Sequence, residues 1–265
     1  MVSAKWFLIA LGSWFSATYS AVLFAQNPLL DAAKLPDHLE TPAVAPAPQQ
    51  LSPERRGDIL MARKMYREAA ETYKKGSLDS AIIENKIGIA YHQMLQTDIA
   101  RKYYERSMKI DPAYAEATNN LGTVYYSKKS YRRAIKLYHR ALKLAPNSAS
   151  IYSNLGTAFF ARKNYKQAAE SYQKALSLDP DVFEHRSSWG VMLQERSVEE
   201  RAKFHYYLAK TYAKAGMNER ALLYIRKALE EGFTERKKMM EDPEFVSLRK
   251  LPEFQELMAM EPRVL

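Results

Sequence analysis

Two adjacent segments decide the fold: residues 115–148 read AEATNNLGTVYYSKKSYRRAIKLYHRALKLAPNS, and residues 149–182 read ASIYSNLGTAFFARKNYKQAAESYQKALSLDPDV. The two segments are equal in length, and the same types of side chain stand at the same places in both. Self-similarity at a fixed period of about 34 residues indicates an array of helix pairs, in which each pair can bury its apolar face only against its neighbours.

The same period continues upstream into residues 81–114. Gly88, Gly122 and Gly156 are spaced by one period, and a tyrosine and then a proline follow each of them at constant distances. Within each segment the apolar residues recur at three- and four-residue spacings, which predicts two helices. The small residues mark the place where these helices approach closely. The proline ends the second helix, because it excludes the preceding residue from helical geometry.

This pattern resembles that of the tetratricopeptide repeat family. The family motif stands in the unit 115–148 as Leu121, Gly122, Tyr125, Ala134, Tyr138, Ala141 and Pro146. The unit 149–182 matches at each of these places with Phe159 for the first aromatic residue, and the unit 81–114 carries Ile87 and Ser107 instead of leucine and the second alanine. The resemblance implies an all-α fold, a right-handed α-solenoid of helix-turn-helix repeats that serves as a protein-binding scaffold.

Weaker units flank these three. Residues 53–80 form a degenerate opening repeat with a short second helix, and residues 202–236 form a fourth match that is offset and lacks the terminal proline. Residues 183–201 are an insertion, whose sequence Ser-Val-Glu-Glu at 197–200 predicts a capping box for the helix that follows.

The C-terminal tail, residues 237–265, contains two Pro-Glu-Phe sequences, which place proline at the first position of two short helices. We expect these helices to cover the apolar end of the array, which a terminal repeat requires. The apolar residues available for this purpose are Phe245, Leu248, Phe254 and Leu257. The alternative interpretation of the tail is a docking peptide for a partner.

The N-terminal segment predicts export. Lys5 is the only charged side chain before Asp31, and an apolar stretch follows it. Residues 1–25 are therefore either a signal peptide, cleaved after Ala25 or Ser20, or a membrane anchor, since residues 6–25 are long enough to span a bilayer. Residues 26–52 are rich in proline and alanine and predict an extended linker. We expect a periplasmic or other extracytoplasmic location, with residues 6–25 as an inner-membrane anchor if they are retained.

Composition narrows the function. The chain has 40 Lys and Arg against 30 Asp and Glu, and its net charge of +10 favours acidic partners or anionic surfaces. The absence of cysteine excludes disulfides, a thiol nucleophile and cysteine zinc sites. The five histidines share no metal-ligand spacing, and no nucleotide-binding or hydrolase motif occurs. We therefore expect no catalytic residue, no cofactor and no metal. The export segment argues against nucleic acid as a partner.

Two surfaces are candidates for binding. By the resemblance, the first helices of successive repeats line a concave groove, where amides and hydroxyls suit a peptide backbone and aromatic rings suit its side chains. The predicted groove residues are Asn85, Ile89, His92, Asn119, Thr123, Tyr126, Ser153, Thr157, Phe160, Tyr206 and Lys210. The second surface is a basic face on the second helix of the unit 115–148, away from the groove: Arg132, Arg133, Lys136, Arg140 and Lys143.

The sequence thus predicts an exported, non-catalytic scaffold that binds a protein or peptide partner in the groove of the array, within an envelope assembly. Two alternatives stay open. One is a membrane-tethered adaptor whose basic convex face contacts lipid or an anionic cell-wall polymer. The other is an accessory enzyme with a hidden site.

Overall fold

The computed structural model describes residues 51–184 and 197–260. The chain divides into two compact units, Met1–Gln49 and Gln50–Leu265, and the first of them lies outside the described residues. The predicted signal or anchor, most of the linker, and the part of the insertion that contains Trp189 and Gly190 therefore also lie outside them.

Within the described ranges the second unit consists of helices joined by short turns, and no strand occurs there. The α-helices are α1 (Pro53–Ala62), α2 (Tyr66–Tyr73), α3 (Ala81–Gln93), α4 (Thr97–Ile110), α5 (Ala115–Ser127), α6 (Tyr131–Leu144), α7 (Ala149–Ala161), α8 (Tyr165–Leu178), α9 (Val198–Lys214), α10 (Asn218–Glu230), α11 (Arg236–Glu241) and α12 (Pro252–Ala259). A 3-10 helix, Pro243–Phe245, lies between the last two. The all-α solenoid predicted from the repeat is confirmed.

Local sequence explains where the helices begin and end. The side chains of Ser52, Ser80 and Ser197 each accept a hydrogen bond from a backbone N–H three residues on, which satisfies a donor that the first turn leaves free. The last of these bonds, from Glu200, is the serine half of the predicted capping box. At the other end, Asp111 and Asp179 adopt extended conformations directly before their prolines.

A glycine and a tyrosine set the distance between the two helices of each regular pair. A Cβ atom built on Gly122 would lie 2.6 Å from Cε1 of Tyr138, so the tyrosine ring occupies the space that any larger residue needs. The hydroxyl of Tyr138 then donates to Oγ1 of Thr123 on α5, at 3.4 Å. The same glycine–tyrosine contact recurs at Gly57 and Tyr73, Gly88 and Tyr104, and Gly156 and Tyr172.

The C-terminal segment covers the end of the array. Phe245, Leu248, Phe254 and Leu257 are all buried and belong to one apolar cluster with residues of α7 to α10. The ring centroid of Phe245 lies 6.2 Å from that of Tyr206 on α9. The tail therefore packs as a cap, as the sequence predicts.

Candidate functional site

The first helices of successive pairs lie beside one another, since α3 contacts α5 and α5 contacts α7. Helices lie closer on the inner side of a curved array than on its outer side, so α3, α5 and α7 form the concave face. The predicted groove residues of the three regular repeats are located on these helices.

A chain of four asparagines crosses this face, and we call it the amide ladder. Nδ2 of Asn154 on α7 donates to Oδ1 of Asn119 at 3.0 Å, and Nδ2 of Asn120 donates to Oδ1 of Asn85 on α3 at 2.9 Å. On α5 the two pairs are joined, because Nδ2 of Asn119 donates to Oδ1 of Asn120 at 3.3 Å. The ladder thus links three consecutive repeats through side chains alone.

Ion pairs, instead of amide hydrogen bonds, join the opening repeat to α3. Lys86 on α3 precedes the recurring glycine of its repeat pattern, Gly88, by two residues. Asn120 and Asn154 occupy the same place in the next two repeats. Its Nζ lies 2.7 Å from Oε1 of Glu54 and 2.8 Å from Oδ1 of Asp58, both on α1. The contact between repeats is therefore made at the same place from α1 to α7.

The ladder retains hydrogen-bonding capacity. Asn119, Asn120 and Asn154 are partly exposed, whereas Asn85 is 1% exposed. An asparagine amide offers two donors and two acceptor lone pairs, and Oδ1 of Asn154 accepts no hydrogen bond from the described residues. The groove therefore presents amide groups that a peptide backbone can use. Asn120 and Asn154, which carry much of this capacity, are additional to the predicted groove set.

The predicted aromatic anchors require a correction. Tyr126, Phe160 and Tyr206 are all buried, with at most 7% of each residue exposed. The ring of Phe160 contacts those of Phe204 and Tyr207 on α9, at centroid distances of 5.4 and 5.7 Å. These rings join neighbouring helices and cannot receive the side chains of a ligand without repacking the core.

The C-terminal cap covers the groove position of the offset repeat. The hydroxyl of Tyr206 donates to Oδ2 of Asp242, and Nζ of Lys210 lies 2.9 Å from Oδ1 of Asp242 and 3.2 Å from Oε2 of Glu244. Burial disfavours the charged ammonium, but the hydrogen bonds to these two carboxylates outweigh it and raise the pKa of Lys210. Lys210 and Tyr206 thus hold the cap in place, so the accessible groove ends before α9.

The remaining predicted residues are partly or fully inside the array. Ser153, Thr123 and Thr157 are buried, and the two threonines accept hydrogen bonds from Tyr138 and Tyr172. Ile89 is half-buried against the core between α3 and α5. His92 is half-buried too, and burial lowers its pKa. A binding role for these residues stays a prediction, and their visible role is to join helices.

The predicted basic face lies on the solvent side of α6. Its five residues are exposed, while Ala134, Tyr138 and Ala141 on the opposite side of the helix are buried. In the described part of the chain, no group of three or more His, Asp or Glu side chains is arranged to hold a metal ion. No helix of that part is long and apolar enough to cross a membrane.

Comparisons with known proteins identify the repeats. Two family models described as tetratricopeptide repeat match residues 85–114 and 113–181, so the chain contains tetratricopeptide repeats. A comparison with curated protein sequences gives no match.

Solved structures of a similar helical arrangement include a crystal structure of MamA, 22% identical, which covers 69% of this chain and 96% of its own at a TM-score of 0.45. MamA from Desulfovibrio magneticus RS-1 is 19% identical, with 72% and 96% covered and a TM-score of 0.46. The repeat assignment rests on the family models and the helix pairs, and these structures add nothing about function.

Proposed function

We propose that this protein is an exported, non-catalytic scaffold that binds an extended segment of a protein partner on the concave face formed by α3, α5 and α7. A tetratricopeptide array supports protein–protein interaction in general. The observation that carries the proposal is the amide ladder, which links three repeats and whose Asn119, Asn120 and Asn154 are partly exposed.

An extended peptide presents a backbone N–H and C=O at regular intervals, and amide side chains can pair with both. Because neighbouring asparagines hold one another in place, the ladder is ordered before a ligand arrives, and little side-chain entropy is lost on binding. Because the predicted aromatic anchors are buried, we expect the groove to contact mainly the backbone of the ligand and less its side chains. We therefore expect modest sequence selectivity for the partner.

The binding proposal is tested with the full chain as bait and fractions of the native host as the source of partners. Partners recovered by the wild type are identified by mass spectrometry and quantified again with Asn120→Glu/Asn154→Glu, which removes two amide donors from the groove. Gln167→Glu/Ser177→Glu adds the same charge at exposed positions of α8 and is the matched control. We expect a loss of about tenfold or more for the groove variant alone. Equal recovery by all three proteins would contradict the proposal.

Export is the second part of the proposal, and it rests on the sequence of residues 1–25. Leu8→Arg/Leu11→Arg places two charges in the apolar stretch, each opposing membrane insertion by about 2.5–3.5 kcal/mol. We expect the variant to remain in the cytoplasmic fraction while the wild type reaches the envelope. N-terminal sequencing of the wild type then separates a start at Gln26 or Ala21 from a retained anchor. Normal delivery of the variant would show that the segment is no signal.

A further inference from the structure

The outer face of α6 concentrates unpaired positive charge. Within the described part of the chain, none of Arg132, Arg133, Lys136, Arg140 and Lys143 forms an ion pair with a carboxylate. The repeat that contains them has one acidic residue, Glu116, which accepts a hydrogen bond from Tyr114. The charge of this face is therefore not neutralised by the described residues of the array.

This concentration is specific to one repeat. The equivalent positions of the preceding repeat, on α4, hold Asp98, Ile99, Lys102, Arg106 and Lys109, and those of the following repeat, on α8, hold Lys166, Gln167, Glu170, Lys174 and Ser177. The five positions therefore carry a charge of +5 on α6, +2 on α4 and +1 on α8. The repeat fold does not require a cation at each of these positions, because α4 lacks two of the five cations and α8 lacks three.

An apolar hollow of about 810 Å³ lies among these cations. Met108 of α4, Leu121 and Tyr125 of α5, and Leu137 of α6 contribute apolar surface to it. The guanidinium carbon of Arg133 lies 5.6 Å from the ring centroid of Tyr125. Nη2 of Arg140 lies 3.5 Å from the carbonyl oxygen of Pro112, in the turn between α4 and α5. Two arginines thus border the hollow, one near each end of α6.

The geometry distinguishes between two kinds of anionic partner. Helices that bind membrane surfaces carry their apolar residues outermost, where they enter the lipid. Around this hollow the arrangement is reversed. Arg132, Lys136 and Lys143 of α6 are exposed, while the apolar residues that line the hollow, Leu121 and Tyr125 of α5 and Leu137 of α6, are buried or half-buried. A flat bilayer cannot reach a recessed apolar surface, whereas one side chain of a folded or helical segment can.

We propose that the hollow beside α6 docks an acidic amphipathic segment of a second protein. Its carboxylates pair with Arg133, Lys136 and Arg140, and one of its aromatic or branched aliphatic side chains enters the hollow. None of the ladder asparagines lines this hollow, so the proposal does not depend on ligand binding in the groove. The scaffold would then hold two partners at once.

The test is isothermal titration of the full chain with a synthetic helical peptide of about 14 residues, composed of glutamate and leucine with one central tryptophan. We expect Arg133→Glu/Arg140→Glu to weaken binding about 30-fold or more, because each reversal replaces an attraction by a repulsion. Lys166→Glu/Lys174→Glu makes the same charge change on α8 and is expected to weaken it about threefold or less.

Two further measurements separate the hollow from charge alone. A peptide with serine instead of leucine and tryptophan should bind about tenfold more weakly, and a peptide with lysine for glutamate should not bind. Thermal melting establishes that the charge-reversal variant is folded, and Arg133→Gln/Arg140→Gln replaces it if it is not. Asn120→Glu/Asn154→Glu should leave peptide binding unchanged, so that failure of the groove proposal would not affect this one.

Three results would overturn the proposal. The first is no binding of the acidic peptide by the wild type. The second is equal loss of affinity in the α6 and α8 variants, which would show that peptide binding depends only on the net charge of the protein. The third is a dependence on Arg133 and Arg140 that appears only with vesicles of phosphatidylglycerol and not with the peptide, which would make the face a membrane contact.

Discussion

The regular helix pairs α3 to α8 and the C-terminal pair α9–α10 pack two helices together by different means. In the regular pairs a glycine on the first helix faces a tyrosine on the second. In the C-terminal pair the equivalent places hold Ala209 and Ile225, both fully buried. The extra methyl group on one helix thus accompanies a smaller side chain on the other. We infer that the volume at the contact is preserved while the two residue types change together.

The two regions also differ in how their first helices contact the adjacent parts of the array. The regular repeats are joined across the concave face by the amide ladder, in which three of the four asparagines are partly exposed. At α9 the corresponding surface is closed by the cap, through Asp242 and Glu244. The concave face of the regular repeats is therefore accessible, whereas the C-terminal region ends the array.

The largest effect is expected at the glycine–tyrosine contact. Gly122→Leu forces a side chain into the space of the Tyr138 ring, and we expect the free energy of unfolding to fall by about 3 kcal/mol, at the upper end of overpacking costs. Thermal melting followed by circular dichroism measures this change. Ala62→Leu, at an exposed position of α1, is the control and should alter stability little. An unchanged melting temperature for Gly122→Leu would contradict the packing described above.

The second effect distinguishes the cap from the regular repeats. Asp242→Ala removes the acceptor for the buried Tyr206 hydroxyl and one carboxylate of Lys210, which should cost about 2 kcal/mol. Because each repeat contacts only its neighbours, we expect faster amide hydrogen exchange in α9 and α10 and little change in α3 to α6. Asp79→Ala, in an exposed turn, serves as the control. Equally faster exchange along the whole array would argue against an independent cap.

The third prediction tests whether the contact volume is shared between two residues. Gly122→Ala should clash with Tyr138, and Tyr138→Ile should leave a cavity, so each change alone is destabilising. Together they reproduce the pair found at Ala209 and Ile225. We expect the double variant to be about 1–2 kcal/mol more stable than the sum of the single effects predicts. Urea unfolding of the four proteins gives this coupling energy, and simple additivity would mean that the C-terminal pair packs by another rule.

Much of the fold could be predicted from the sequence because the repeat makes the same contact several times. Gly122 and Tyr138 identify their own contact by recurring with a fixed spacing. The repeat pattern does not predict the amide ladder. Asn120 donates to Asn85 and Asn154 donates to Asn119 across 35 residues, one more than the period of the repeat. An inventory of each unit by itself does not show bonds between units.

The predicted aromatic anchors failed for a related reason. Phe160 occupies a groove position by its place in the repeat, but Phe204 and Tyr207 of α9 contact its ring. Tyr206 is covered by a cap that comes from 36 residues further along the chain. Neither contact follows the period of the repeat, so the repeat pattern contains no signal for them.

The last and smallest effect concerns pH and again separates the two regions. Burial lowers the pKa of His92 on α3. Burial also lowers the pKa of His205 on α9, but Glu231 opposes this shift, with its Oε2 2.9 Å from Nδ1 of the imidazole. A histidine whose pKa is lowered by folding contributes its full stability above the unfolded value of about 6.5. That contribution is lost as the pH falls towards the folded value, because the unfolded state takes up the proton first.

We therefore expect the wild type to lose stability as the pH falls below about 6.5. His92→Gln should flatten this dependence more than His205→Gln, since the carboxylate of Glu231 already assists protonation of His205. Glu84 has the opposite effect on the pH dependence of stability. Burial raises its pKa, so the folded protein takes up this proton before the unfolded chain does as the pH falls, which favours folding. Glu84→Gln should therefore steepen the loss of stability. Melting temperatures at pH 7, 6 and 5 measure these slopes. A larger flattening by His205→Gln would show that Glu231 does not compensate for the burial of its partner.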